Sequence, residues 1–191
     1  MKHFADEILV PLNACTRSVK KAREYSTLQE AWDNWDRGDD MLWLLWKLEA
    51  DPLKQIHCAC DIAERVLPIF EKKYPDDKRP REAIEAARRY ADDPSNENRR
   101  KVRAAASAAW DAAGDARWDA RDAWTASAAS AAGDAGAARD AWTASAASAA
   151  GDAWDAAGAA GDARSVADER KAQTQIVRKY FPELPIKKRN Q

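Results

Sequence analysis

The sequence contains few of the residues from which catalytic and metal sites are usually built. Its 191 residues include two histidines, three cysteines and seven glycines. A Gly-rich phosphate loop, a G-x-S-x-G motif and an H-E-x-x-H motif are all missing. Their absence excludes the common signatures of phosphate-loop hydrolases, serine hydrolases and zinc proteases. We therefore expect a protein that is not an enzyme and that holds neither a metal ion nor a cofactor.

Paired cysteines and long apolar runs are missing as well. An odd number of cysteines argues against a disulfide framework and favours a reducing compartment. The sequence has no uncharged apolar stretch of about 18 residues, and charged residues occur within the first seven positions. We therefore expect a cytoplasmic protein that does not bind a membrane. The net charge of −1 gives no overall attraction to DNA, so a DNA partner is not expected.

Alanine is abundant, together with Glu, Lys, Arg and Leu, and all five residue types favour helix. Thr27 followed by Glu30 is typical of a capping box, and the pair Asp51-Pro52 places a capping acid before a helix-starting proline. We also expect Asn13 to cap one helix, and Asp39 or Asp40 to cap another. The sequence therefore predicts an all-α fold, a multi-helix bundle.

The Trp-rich N-terminal part, residues 1–93, is predicted to form the helical core of this bundle. The run Met41–Leu48 is apolar nearly all around a helix, so we expect it at the centre. Pro68 is expected to kink or interrupt a later helix. Cys58 and Cys60 would project about 200° apart on that helix, so we interpret them as buried structural thiols rather than as metal ligands.

The segment Ala104–Arg164 is rich in alanine, which accounts for 30 of its 61 residues. Within it, Ala120–Ala135 recurs unchanged as Ala138–Ala153, a shift of 18 residues. This shift is about five whole helical turns, so both copies would present the same face. A single rod would be roughly 90–100 Å long, far beyond a compact domain. We therefore expect the Ala-rich helices to fold back as an antiparallel hairpin near Gly133–Gly136 or Gly158–Gly161.

The chain is predicted to form one helical domain over residues 1–181. After the core come the Ala-rich repeat helices, residues 94–164, and a C-terminal helix, residues 165–181. Residues 182–191 form a basic tail. The sequence leaves open whether the chain forms a homo-oligomer.

Tryptophan side chains are the first candidates for a binding surface. Trp43 and Trp46 lie in the apolar run and would be core residues by default. A partly exposed tryptophan beside a cation would instead be typical of a binding hot spot. Trp124 and Trp142 lie at the same angle on a straight helix, because they occupy the same position in the two repeats. They would line a groove if that face were open, and they would be core or spacer residues if it were covered.

A basic cluster is the second candidate for a binding site. Lys78, Arg79 and Arg81 surround Pro80, where a helix is predicted to begin. A helix N-terminus next to cations can hold phosphate or carboxylate. The alternative is a solvated loop in which these cations pair with neighbouring acidic side chains.

Four segments resemble a helical family that is known as the putative immunity proteins, found in bacteria and in tailed phages. They are Arg37–Trp46, Cys58–Cys60, Val66–Arg88 and Gln175–Phe181. The resemblance covers nearly the whole chain and is sharpest over Arg37–Arg88. It implies a cytosolic all-α protein that neutralises a toxin or another effector by binding it, and it supplies no catalytic residues.

Three functions are therefore compatible with the sequence. The leading one is an inhibitor in bacterial or phage conflict, whose partner is a toxin or an immune-effector protein. The second is a sponge that sequesters a nucleotide second messenger, with tryptophan stacked on a base and Arg79 or Arg81 at a phosphate. The third is a purely structural helical protein.

Overall fold

A computed structural model describes residues 2–115 and 163–185 of the chain. Within these ranges all regular structure is helical, which confirms the predicted all-α class. A π-helical segment, Ala5–Leu9, comes first. The α-helices are α1 (Thr16–Ala22), α2 (Leu28–Asn34), α3 (Gly38–Lys47), α4 (Pro52–Lys73), α5 (Arg79–Asp92), α6 (Asn96–Asp115) and α7 (Ala163–Tyr180). The predicted hairpin, its glycine turns, Trp124 and Trp142 lie outside the described residues.

Two predicted helix starts are confirmed by their hydrogen bonds. Thr27 Oγ1 accepts a hydrogen bond of 3.1 Å from the backbone N–H of Glu30 at the start of α2. Asp51 Oδ1 accepts from two backbone N–H groups of α4, at 2.9 and 3.2 Å. Pro52 is the first residue of that helix and has no N–H that needs a partner. Both helix starts could be predicted from the sequence, because the hydrogen-bonded residues lie within three positions of each other.

The other predicted caps are wrong. Asn13 has a φ of 61°, in the left-handed region, and Cys15 takes the N-cap position of α1. A short polar side chain tolerates left-handed backbone, so Asn13 serves the turn before the helix. α3 begins at Gly38, earlier than expected, so Asp39 and Asp40 lie in its first turn. Their charges suit the positive end of the helix dipole there without capping it.

Pro68 does not interrupt α4, which is continuous from Pro52 to Lys73. Proline removes one backbone hydrogen bond within a helix, and this favours a break. Its neighbours Leu67 and Phe70 are only 2% and 1% exposed. Burial of these large side chains on the same helix outweighs the missing bond.

Buried side chains form two main clusters on different sides of α4. The α3 cluster contains Cys58 and Ile62 of α4 together with Trp32, Trp35, Met41, Leu42, Leu44, Leu45 and Val177, among others. The α5 cluster contains Ile56, Cys60, Ala63 and Leu67 of α4 with Ile84, Ala87 and Ala91 of α5. Cys58 and Cys60 therefore face different clusters, which confirms the prediction of two buried thiols that project apart.

α7 packs against α3 at Gly38. A Cβ atom at this position would lie 2.9 Å from Cβ of Gln173 and 3.3 Å from its Oε1. Carbon atoms do not approach so closely without displacement. The missing side chain at Gly38 therefore allows α3 and α7 to pack closely.

The C-terminal end of α7 also holds α2 in place. The guanidinium group of Arg178 donates hydrogen bonds to the backbone carbonyl oxygens of Trp32, at 2.9 Å, and Trp35, at 2.5 Å. In return, Trp32 Nε1 donates to the carbonyl oxygen of Phe181 at 3.0 Å. These bonds add side-chain donors to carbonyl groups at the end of α2, where the helix supplies few backbone donors, and the Trp32 carbonyl also accepts from the Trp35 N–H at 3.4 Å. The C-terminal helix is thereby attached to the Trp-rich part of the chain.

Candidate functional site

α3 brings Trp43 and Trp46 to the edge of the molecule. Both side chains are half-buried, whereas the residues on the other face of the helix form the core. Those core residues are Met41, Leu42 and Leu45, each at most 1% exposed. Trp43 packs against the α3 cluster without entering its fully buried interior. The default interpretation of the two tryptophans as core residues is therefore only partly correct.

A lysine lies over both of these rings. Lys47 Nζ is 4.2 Å from the centre of the Trp46 ring and 5.8 Å from the centre of the Trp43 ring. An ammonium group within about 6 Å of an indole face is attracted by the ring's quadrupole. In the part of the chain that the structure describes, Lys47 has no carboxylate partner. We call Trp43, Trp46 and Lys47 the α3 edge.

A cavity of about 330 Å³ lies beside the α3 edge. Its walls come from the π-helical segment, the turn after it, α1, α2 and α3. Most of the lining is apolar, and it includes Phe4, Leu28, Trp32, Trp35, Met41 and Leu44. Trp43 lines the cavity as well, so the cavity and the α3 edge share one side chain.

Asp40 is the most densely bonded polar group in the cavity wall. Its Oδ2 accepts hydrogen bonds from Ser18 Oγ at 3.0 Å and from Trp35 Nε1 at 3.2 Å. Its Oδ1 accepts from Arg17 Nη2 at 3.0 Å. Asp40 thus connects α1, α2 and α3 around one carboxylate. This group could not be recognised from the sequence, because Arg17 and Ser18 precede Asp40 by more than 20 residues and reach it only after folding.

Cys15 lines the same cavity and is exposed, unlike the other two cysteines. Its Sγ lies 3.1 Å from Ser18 Oγ, and this hydrogen bond lowers the pKa of the Cys15 thiol from its ordinary value of 9.0. Burial has the opposite effect on α4, where it raises the pKa of Cys60 to about 12 and that of Cys58 further. Cys15 is therefore the one thiol of the three that is exposed and has a lowered pKa.

The basic cluster at the start of α5 is engaged with carboxylates. Arg79 Nε donates to Asp77 Oδ1 at 2.9 Å, and Arg81 Nε donates to Glu71 Oε1 at 2.6 Å. These hydrogen bonds lower the pKa of Asp77 and of Glu71. Lys78 Nζ donates to a backbone carbonyl oxygen in the loop before α5. The structure thus places these residues as the solvated-loop alternative describes. They lie at the start of α5, whereas the α3 edge belongs to another helix.

The remaining sequence candidates and features add no further site. Trp124 and Trp142 are not among the described residues. Within the described ranges, the His, Cys, Asp and Glu side chains form no group of three that could hold a metal ion. None of the helices described there is both long enough and apolar enough to cross a membrane.

Comparison with known proteins identifies the family. The sequence model of the Imm-5 like putative immunity protein family matches residues 54–179, roughly two thirds of the chain. The match begins inside α4 and ends in α7, so Arg37–Trp46 lies outside it. Comparison with curated proteins gives no match, and comparison with solved structures gives none. Membership of an immunity protein family implies a role in neutralising a toxin. The chain belongs to the Imm-5 like immunity protein family.

Proposed function

We propose that the protein neutralises a toxin or an immune effector, in bacterial or phage conflict, by binding it directly. The observation that carries this proposal is the family match over residues 54–179. The chain acts without catalysis, by covering a surface that its partner needs. The partner is a protein, and the complex forms in the cytoplasm.

The α3 edge is the binding surface that we assign to this function. Tryptophan is among the residues that most often dominate binding energy at protein interfaces. Trp43 and Trp46 are already half-buried, so they lose little conformational freedom when a partner covers them. Lys47 lies over the ring of Trp46, and its ammonium group can pair with a carboxylate of the partner. The complementary surface would therefore be apolar at its centre and acidic at its rim.

The nucleotide sponge has less support from the geometry. Arg79 and Arg81 would have to leave Asp77 and Glu71 before they could bind a phosphate. The cavity beside α3 is unsuited to an anion, because Asp39 and Asp40 line it. The basic cluster is retained as a secondary candidate surface for a protein partner.

A growth assay tests the assigned surface. Cells that express a candidate cognate toxin should grow when the wild-type chain is co-expressed. Trp46→Ala should lower protection at least tenfold, measured as surviving colonies, because a buried interfacial tryptophan contributes about 2 kcal/mol or more.

Tyr90→Ala is the matched control for this assay. Tyr90 is also half-buried and also has a cation over its ring, since Arg99 Cζ lies 5.9 Å from the ring centre. It belongs to α5, away from the α3 edge. The control should protect as well as the wild type. Equal loss in the two variants, at equal protein levels, would exclude the α3 edge as the specific surface.

A further inference from the structure

The cavity beside α3 is large enough for a small ligand. An apolar cavity of roughly 150 Å³ can hold benzene, and this one measures about 330 Å³. It therefore has space for an aromatic ring and a short side arm. Trp32, Trp35 and Met41 contribute to an apolar wall of the kind against which such a ring packs.

The polar part of the cavity wall is acidic. Among the described residues, Asp39 and Asp40 line the cavity, whereas no lysine, arginine or histidine does. The cations that pair with these acids, Arg37 and Arg17, approach from outside the lining. A ligand inside therefore meets carboxylate oxygens, which accept hydrogen bonds and favour a positive charge.

Asp40 can accept a hydrogen bond from such a ligand. Oδ2 already accepts from Ser18, Trp35 and Arg17 and lies 3.9 Å from Arg37 Nε, whereas Oδ1 receives only Arg17. The Arg17 side chain is 56% exposed, so its ion pair with Asp40 contributes little and is easily exchanged. An ammonium group at Oδ1 would add to this pair or replace it.

The remaining wall of the cavity has an unusual backbone. The π-helical segment Ala5–Leu9 supplies Leu9, and the following turn supplies Asn13 with its φ of 61°. Short π-helical turns occur frequently at functional sites, whereas an asparagine in the left-handed region is ordinary in a turn. Both features fall on the one segment that closes the cavity against α1.

We propose that this cavity is a binding site for a small aromatic amine, with the ring among Trp32, Trp35 and Met41 and the ammonium group at Asp40. The site lies before residue 54 and does not depend on the proposed neutralising function. Binding is measured on the chain alone, without a toxin, so failure of one proposal leaves the other unaffected.

Titration with two probes of the same shape tests the site. Phenethylamine and 3-phenylpropionate carry the same ring on similar arms, but with opposite charges. The reporter is the NMR signal of the Trp35 Nε1–H, because this group donates to Asp40. Phenethylamine should shift the signal saturably and bind at least about tenfold more tightly than the acid. No saturable shift with the amine, or equal binding of the two probes, would overturn the proposal.

Two variants locate the bound probe. Ala14 lines the cavity and is half-buried, so Ala14→Trp should fill the cavity and abolish binding. Ala105→Trp, at a half-buried alanine of α6, should leave binding intact. Asp40→Asn should remove the preference for the amine, whereas Asp33→Asn, an exposed acid on α2, should not. Unchanged binding in Ala14→Trp would overturn the assignment. The Asp33 and Ala105 variants show whether a substitution elsewhere in the fold is enough to reduce probe binding.

Discussion

On the α3 side of α4, tryptophan, methionine and leucine side chains form the core, and a cavity of about 330 Å³ lies between the helices. On the α5 side, three of the seven clustered residues are alanines, and the other four are isoleucine, leucine and cysteine. Large aromatic rings do not fill irregular space completely, whereas small side chains let helices approach closely. The cavity thus lies on the side of α4 whose cluster contains the large aromatic rings.

The family match also separates parts of the molecule. Residues 54–179 include almost all of α4 and the α5 cluster, whereas α1, α2 and α3 precede the match. The cavity and the α3 edge thus belong to the part that the family model does not cover.

The largest effect is expected from removing a core side chain on the α3 side. Leu45 is fully buried, so Leu45→Ala should lower the free energy of unfolding by about 2–5 kcal/mol. Urea denaturation followed by circular dichroism measures this loss. Leu48→Ala, at a half-buried position just after α3, is the control and should lose less. Equal losses would mean that burial does not distinguish the two positions.

An intermediate effect is expected from enlarging a side chain on the α5 side. Ala87 is fully buried between α4 and α5, so Ala87→Leu should destabilise the fold by about 1–3 kcal/mol through overpacking. Ala104→Leu, at an exposed position of α6, should change stability by less than about 0.5 kcal/mol. A neutral or stabilising effect of Ala87→Leu would show that the α5 side of α4 also contains free space. The two clusters would then not differ in how completely they are packed.

The smallest effect is expected at the surface of α5. The Arg79 guanidinium group lowers the pKa of Asp77 below its ordinary value of 3.8. Its charge therefore stabilises the fold at pH values above about 3.8, and this contribution disappears as pH falls through the lower folded-state pKa. Asp77→Asn should thus cost about 0.5 kcal/mol at pH 7 and almost nothing near pH 2. Thermal unfolding across this pH range measures the difference.

Asp76→Asn is the control for this pH dependence. Asp76 is an exposed neighbour of the same charge, so its variant reports the general effect of removing one negative charge. If both variants follow the same curve, the Asp77–Arg79 pair has no stabilising role of its own. The basic cluster would then be open to an anionic partner.

The parts of the fold that depend on local chemistry could be predicted from the sequence. Thr27 and Asp51 satisfy N–H groups within the next turn, and the helical spacing of Ile56, Cys60, Ala63 and Leu67 places them on one buried face. These features need no knowledge of distant residues.

The features that sequence reasoning missed depend on distant contacts. α3 begins at Gly38 rather than at an aspartate, and Gly38 is also where Gln173 of α7 approaches closely. The cavity is assembled from four separate segments, and its volume follows from how they pack. Asp40 could not be recognised as a central group, since Ser18 and Trp35 become its neighbours only after folding.

Direct binding is the central claim, and isothermal calorimetry of the full chain with a purified toxin against which it protects cells tests it most directly. The account predicts a stoichiometric complex with Trp46→Ala binding at least tenfold more weakly and Tyr90→Ala binding as tightly as the wild type. A chain that protects cells from the toxin yet shows no binding in this titration would contradict the account.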